Sequence, residues 1–302
     1  MSPAMKLRNW IDGRNLYLPS LSYNENASYY LEMNPSLIYW KNLSENSGAI
    51  YLLEKNKHNI DIYNLIAYNQ SYCTPILARK LISDEDGFEP YCISCNHHCV
   101  SILEKHPQLI NWYDLSGNIN AIHILEKNID KINWYKISGN VNAISILNNH
   151  LDKVNWAHLS RNINAISIIE KNLDNVVWEQ LSRNHNAIHL LEKNLDKINW
   201  FWLSGNKNAI HLLEKYPQNI YFSELSENPN AMHILEHNTD QIDWFRISKN
   251  PSIFDTSYNL LAQRMNIIKE DMMIKIFHPI NLERFLAIGY DICSEEYVEN
   301  DI

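Results

Sequence analysis

The stretch WYDLSGNINAIHILEKNIDKIN, residues 112–133, recurs along most of the 302-residue chain. The residue that opens each copy is usually tryptophan and falls on a 22-residue grid: Trp112, Trp134, Trp156, Trp178, Trp200, Phe222 and Trp244. Toward the N-terminus the grid continues through Pro90, Ile62, Trp40 and Leu18, with 28 residues rather than 22 between Ile62 and Pro90. A fixed period of this length is typical of solenoid proteins. We number the positions of each unit 1 to 22 from the tryptophan.

The apolar positions of a unit are 1, 4, 10, 11, 14 and 21. Positions 1 and 4 are one helical step apart, and positions 10, 11 and 14 lie on one face of a helix. A leucine-rich repeat would need apolar residues at positions 2 and 9, where this protein has variable residues and asparagine. The pattern therefore predicts an all-α fold, an α-solenoid of about eleven 22-residue helix–turn–helix repeats with a helical C-terminal cap.

Asparagine is abundant, with 41 residues, while glycine is rare, with seven. We expect Asn at position 22 to cap the first helix of a unit and Asn at position 9 to cap the second. Asn at position 7 is expected to end the first helix in the left-handed conformation, and Asn at position 17 to close the second helix. Serine at position 5 is expected to bond to the local backbone.

The repeat also predicts the domain organisation. Residues 1–17 are expected to form an N-terminal cap and residues 18–253 the solenoid, with an irregular unit at 62–89. Residues 254–302 are expected to form the C-terminal cap, with helices over 266–277 and 280–288. Units stacked at ~8–10 Å would trace a curved rod roughly 100 Å long. Both ends of such a rod need polar caps, because the core would otherwise be exposed there.

The repeated LSGNxNAIxxLEKNxDKINW and the C-terminal segments MMIKIFHP and RFLAIGYD resemble the short tandem-repeat proteins that giant DNA viruses of amoebae encode in many copies. The resemblance covers roughly residues 18–302, and the insertion after Ile62 and the nearby cysteines depart from it. It implies a viral interaction protein, located in the host cytoplasm or the virus particle. A host protein is then the candidate partner.

Composition excludes several classes of function. The protein has 26 Lys and Arg against 35 Asp and Glu, a formal net charge of −9, which disfavours nucleic acid as a partner. Recognition of single-stranded RNA, one base per repeat, is a second alternative. No glycine-rich phosphate-binding motif, secretory signal or 18-residue apolar stretch is present, so we expect an intracellular protein without a membrane span. Serine recurs at position 5 in ten units, whereas a nucleophile needs one site, and we therefore expect no enzyme.

A cysteine cluster gives the first alternative function, a zinc-binding protein or metal-dependent enzyme. Thiolate and imidazole are zinc ligands, and this segment offers four of them: Cys92, Cys95, His97 and Cys99. Against zinc, Cys99 falls at position 10, where other units have a small alanine such as Ala121, and cysteine there can act as a small core residue. Our expectation is therefore no cofactor, with zinc as the alternative.

Positions 2, 3, 6 and 8 vary between units, and repeat scaffolds bind partners through such positions. Phe201 and Trp202 are the leading aromatic anchors, joined by Tyr113 and Tyr135. A second candidate row lies at position 12: His123, His189, His211 and His233. Position-12 side chains of adjacent units would be ~9–10 Å apart, too far to share one metal ion. We therefore expect a non-catalytic scaffold for protein–protein interaction, and the sequence leaves its oligomeric state open.

Overall fold

The computed structural model describes residues 5–62, 64–65, 91–276, 278 and 281. The protein divides into two compact units, Met1–Asp255 and Thr256–Ile302. The predicted all-α solenoid is confirmed, because the described part of the first unit is a series of short helix pairs that follow the 22-residue period. The sequence pattern thus reports the fold class correctly.

The first helices of the units are Leu18–Tyr23, Trp40–Glu45, Tyr91–Cys95, Trp112–Leu115, Trp134–Ser138, Trp156–Arg161, Trp178–Leu181, Trp200–Ser204, Phe222–Leu225 and Trp244–Ile247. The second helices are Ser28–Met33, Ile50–Lys55, Val100–Lys105, Ile122–Glu126, Ile144–Asn149, Ile166–Glu170, Ile188–Glu192, Ile210–Lys215 and Met232–Glu236. Short 3-10 helices follow at positions 18–20, for example Ile129–Lys131 and Leu195–Lys197. In some units a further 3-10 helix covers positions 8–10, as in Ser47–Ala49.

The core runs along the stack through positions 4, 10 and 14. In one unit these are Leu115, Ala121 and Leu125, and all three are fully buried. The position-1 tryptophan is half-buried, and the lysine at position 20 lies over its ring, with Lys131 Nζ 4.7 Å from the centroid of Trp112. Helices of four to six residues are unstable alone. Their stability therefore comes from packing between units.

Three of the predicted backbone-capping roles are confirmed. At position 22, Asn133 Oδ1 accepts a hydrogen bond from the backbone N–H of Lys136 at 3.0 Å. At position 17, Asn128 Nδ2 donates to the backbone oxygen of Ile124 at 2.8 Å, which closes the second helix. At position 5, Ser116 Oγ donates to the carbonyl four residues earlier at 2.7 Å and accepts from Asn133 N at 2.9 Å. The serine thus fastens the first helix to the end of its own unit.

The left-handed conformation expected at position 7 is wrong. Asn162, for example, is extended, with φ −70° and ψ 115°. Its buried side chain donates from Nδ2 to the carbonyls of Ser138 and Asn140 in the preceding unit, at 3.2 and 3.0 Å. Its Oδ1 accepts from Asn164 N at 3.0 Å. Unpaired carbonyls at the end of the preceding first helix need a buried donor, and an amide side chain supplies two N–H groups to them.

The helix cap expected at position 9 is also wrong. The helix Ile166–Glu170 has Ala165 at its N-cap, with no side-chain hydrogen bond. The position-9 residue Asn164 instead donates from Nδ2 to the carbonyl of Val141 in the preceding unit, at 2.9 Å. The turn at positions 8–10 carries this side chain beside the neighbouring unit rather than over the helix. Positions 7 and 9 together form an asparagine ladder that joins each unit to the preceding one.

The asparagine ladder also joins the first repeat of the solenoid to the last. Asn24 Nδ2 donates to the carbonyls of Ser248 and Asn250 at 3.0 and 2.8 Å. Asn26 Nδ2 donates to the carbonyl of Pro251 at 3.0 Å. These are the same contacts that consecutive units make. The unit that begins at Leu18 therefore stacks on the unit that begins at Trp244.

The N-terminal segment completes the last unit. The 3-10 helix Gly13–Asn15 occupies positions 18–20 of that unit, and Tyr17 N donates to Ser248 Oγ at 2.8 Å, the bond that other units make between positions 22 and 5. Strand β1 (Met5–Leu7) pairs with strand β2 (Phe254–Thr256). The solenoid therefore joins its own ends, in place of a rod with two free ends. Residues 13–17, which fall in the expected N-terminal cap, thus take positions 18–22 of the last repeat.

The second compact unit contains the helix Tyr258–Ile276, which begins eight residues before the helix expected over 266–277. The helix expected over 280–288 lies outside the described residues, apart from position 281. Among the helices that are described, none is both long enough and apolar enough to cross a bilayer.

Candidate functional site

Variable side chains at positions 2 and 3 form a continuous surface, which we call the position-2/3 row. In three pairs of units, the position-3 side chain of one unit contacts the position-2 side chain of the preceding unit. Lys136 Nζ lies 4.7 Å from the ring centroid of Tyr113, and the rings of Tyr135 and His158 are 3.9 Å apart. This register follows from the asparagine ladder, because the ladder fixes each unit against its neighbour.

The predicted aromatic residues lie on this row. The exposed fractions of Tyr113 and Tyr135 are 48% and 50%, which is high for large rings. Phe201 is half-buried and contacts Tyr221 edge-on, with ring centroids 5.5 Å apart. The row thus exposes aromatic surface of the kind that is enriched at protein interfaces.

The Trp202 side chain, expected to be an exposed anchor, is in contact with three neighbouring side chains. The guanidinium carbon of Arg183 lies 3.9 Å from its ring centroid, and its Nε1 donates to Glu179 Oε1 at 3.0 Å. The Phe201 ring packs edge-on at 4.8 Å. These contacts fix the orientation of the indole before any partner arrives, which lowers the entropic cost of binding.

Sequence reasoning missed further aromatic residues on this surface. Tyr17 and Phe245 contact each other at 5.1 Å, and both are about half exposed. Phe245 occupies position 2, whereas Tyr17 comes from the N-terminal segment and takes position 22 of the same unit. Only the joining of the two ends of the solenoid brings these rings together. Tyrosine in place of Asn at position 22, as at Tyr221, is the sequence signal that could have revealed this kind of contact.

The predicted histidines form a second surface, the His–Glu row. Each contacts the position-15 glutamate of the preceding unit, with Nε2–Oε1 distances of 2.8 to 2.9 Å: His123–Glu104, His189–Glu170, His211–Glu192 and His233–Glu214. These pairs are about half exposed, and such pairs contribute only about 0–1 kcal/mol each. Two of the residues at position 12, Ser145 and Ser167, interrupt the row.

Each row borders a cavity, in a different part of the stack. His123 and Trp112 line a groove of about 400 Å³ on the His–Glu row. Another cavity, of about 270 Å³, is lined by Arg183 and Trp202 on the position-2/3 row. The predicted partner-binding residues differ in their contacts, because the histidines meet glutamates at position 15 whereas Phe201 and Trp202 meet Tyr221 and Arg183.

The cysteine cluster is only partly described. Cys99 is fully buried at position 10, in the core site that alanine fills elsewhere. Burial, with a smaller contribution from Asp114, raises the pKa of the Cys95 thiol to about 11. The described residues contain no group of three His, Cys, Asp or Glu side chains placed to hold a metal, and the side chain of Cys92 lies outside them. Zinc binding by Cys92, Cys95, His97 and Cys99 stays a prediction.

Fold and surfaces together define a class of protein, an α-solenoid repeat protein whose framework positions are used for stacking and whose variable positions face outward. Comparison with known proteins gave no match to a family model, a curated protein or a solved structure.

Proposed function

We propose that the protein is a non-catalytic scaffold that binds a protein partner through the position-2/3 row. The observation that carries the proposal is that framework and variable positions of each unit have different roles. Serine and asparagine at positions 5 and 7 are buried and use their hydrogen-bonding groups within the framework, as Ser160 and Asn162 show. Side chains at positions 2 and 3 differ from unit to unit, and apart from the buried Ser20, Asn64 and Glu224 the described ones are exposed or half-buried.

The chemistry of this row supports a protein partner. Aromatic residues with exposed rings alternate with charged groups along it, and a partner that covers these rings removes apolar surface from water. Each ring buried in this way contributes roughly 1–3 kcal/mol at a well-packed interface. The resemblance to repeat proteins of amoebal viruses makes a host protein the first partner to test, in an intracellular setting. That origin stays a prediction.

The experiment uses affinity capture from nuclease-treated amoeba lysate, followed by binding measurements with the purified partner. The variant Phe201→Ala/Tyr113→Ala/Tyr135→Ala removes rings from the position-2/3 row. The matched control, His123→Ala/His211→Ala/His233→Ala, removes the same number of side chains from the His–Glu row.

We expect saturable binding of one protein that weakens at least about tenfold in the aromatic variant and is kept in the histidine control. Loss of binding in the histidine variant alone would transfer the function to the His–Glu row. Saturable capture of RNA in an untreated lysate, with no protein partner, would replace the proposal with the RNA alternative.

A further inference from the structure

One cavity on the position-2/3 row is lined mainly by charged side chains. It measures about 270 Å³ and is lined by residues from four consecutive units, all at positions 3 and 6: Arg161, Arg183, Trp202, Gly205, Glu224 and Glu227. The equivalent positions of the units that begin at Trp112 and Trp134 hold Asp, Lys and glycine, so the same lining does not recur there. A feature that the repeat does not copy needs an explanation of its own.

The carboxylates of the cavity already have a cationic partner. Arg246 Nη1 lies 2.7 Å from Glu224 Oε1 and 3.3 Å from Glu227 Oε2. Arg246 also faces Asp243, with Nε 3.7 Å from Oδ2. This side of the cavity therefore holds a network of opposite charges around Arg246.

The arginines of the cavity have no such partner. Among the described residues, no carboxylate forms an ion pair with Arg161 or Arg183. Burial, followed by the positive charge of Arg161, lowers the pKa of Arg183. Two guanidinium groups at the same position of adjacent units thus face one cavity, and the attraction of a negative ligand would offset their repulsion.

The site is fixed and open. The guanidinium of Arg183 is stacked on Trp202 at 3.9 Å, and Trp202 is held in turn by Glu179 at 3.0 Å. Gly205 lines the cavity without a side chain, and a Cβ added there would lie 3.4 Å from Glu224 Oε2. Planar guanidinium groups bind carboxylates through two parallel hydrogen bonds. An arginine that is already oriented loses little entropy when it does so.

We propose that this cavity binds a carboxylate group, held between Arg161 and Arg183, with the adjoining apolar part of the ligand against Trp202. A carboxylate fits better than a phosphate, because Glu224 and Glu227 also line the cavity and repel a dianion more strongly than a monoanion. The inference builds on the proposed function, since it assigns either an acidic side chain or a free α-carboxylate to the partner segment that reaches Trp202.

The test uses small probes and no partner protein, so that its failure is distinguishable from failure of the capture experiment. The probes are 3-phenylpropanoate, its uncharged amide 3-phenylpropanamide, and inorganic phosphate. The readout is the 15N–1H resonance of each arginine Nε–Hε group, assigned with Arg161→Gln and Arg183→Gln. The matched control Lys153→Gln removes a cation from position 20, outside the cavity.

We expect 3-phenylpropanoate to shift the Arg161 and Arg183 resonances saturably, with an affinity about tenfold or more above that of the amide. Each Arg→Gln variant should lose that advantage, whereas Lys153→Gln should keep it. Gly205→Leu, which fills the cavity without changing its charge, should abolish the shifts while the circular dichroism spectrum stays unchanged.

Three results would overturn the proposal. The first is equal binding of the acid and the amide, and the second is a shift that survives both Arg→Gln variants. The third is tighter binding of phosphate than of 3-phenylpropanoate at equal ionic strength, which would make the cavity a phosphate site. Two dipeptides then distinguish the two sources of the carboxylate. One has a free C-terminus and supplies an α-carboxylate, and the other is amidated at its C-terminus and supplies a glutamate side chain.

Discussion

Replacement of Asn24 by alanine tests whether the first and last units stack on each other in solution. The substitution removes two donated hydrogen bonds, to the carbonyls of Ser248 and Asn250, and one accepted from Asn26 N. All of these contacts involve a residue that is 1% exposed. A net contribution of about 1 kcal/mol per bond gives a loss of roughly 3 kcal/mol. For a protein of 302 residues, that corresponds to a fall in Tm of about 5 °C.

The matched variant is Asn140→Ala, within the stack. Asn140 donates to the carbonyls of Ser116 and Asn118, both at 3.1 Å, and accepts from Asn142 N at 3.0 Å, so it loses the same set of bonds. Exposed Asn9→Ala serves as the neutral control. Urea unfolding followed by tryptophan fluorescence gives the stability of each variant, and hydrogen exchange at residues 13–33 and 244–256 locates the loss.

If the stack joins its own ends, Asn24→Ala and Asn140→Ala should lower the free energy of unfolding by similar amounts. Asn24→Ala should also speed amide hydrogen exchange on both sides of the junction between the first and last repeats. In an open rod, residue 24 would belong to a terminal unit with no neighbour on that side. A change in stability below about 0.5 kcal/mol for Asn24→Ala, with the full effect for Asn140→Ala, would refute the joining of the ends.

Four further substitutions test the framework, and thermal or urea unfolding measures the stability of each. Val177→Asn supplies the N-cap hydrogen bond that the helix Trp178–Leu181 lacks and should stabilise the protein by about 1 kcal/mol; no gain would mean that position 22 does not act as a cap there. Gly48→Ala places a methyl group against the backbone of Glu25 and should cost about 1–3 kcal/mol, whereas Gly117→Ala has room and should be neutral or slightly stabilising. Equal effects at the two glycines would contradict this packing. His189→Ala should cost less than about 1 kcal/mol, and a larger loss would show that the His–Glu row is structural.

Position 22 of the repeat shows what local sequence can predict. Asn133 caps a helix that begins at the next residue, and a cap involves neighbours two or three residues away. The same holds for Asn128 at the end of the second helix, whose bond spans four residues. The helices, their caps and the burial of positions 4, 10 and 14 follow from patterns that repeat within one unit, so the sequence alone specifies them.

Positions 7 and 9 show where local reasoning fails. Asn162 is a residue type that commonly ends helices, yet its amide group serves carbonyls 22 and 24 residues earlier. Nothing within one unit distinguishes an asparagine that ends its own helix from one that bonds to the neighbouring unit. The candidate site has the same limit, because the variable positions are visible in the sequence while the contact between Arg183 and Trp202 depends on the register of two units.

By itself, the sequence determined the repeat, the helix pairs and the outward-facing variable positions, since each depends on residues less than one period apart. Only the tertiary structure decided that the first and last units meet, that Tyr17 joins Phe245, and that the cavity gathers residues from four units. The bond from Asn24 to Ser248 crosses 224 residues. Whether such residues meet depends on the small rotation between neighbouring units added over the whole stack, and no local pattern encodes that sum.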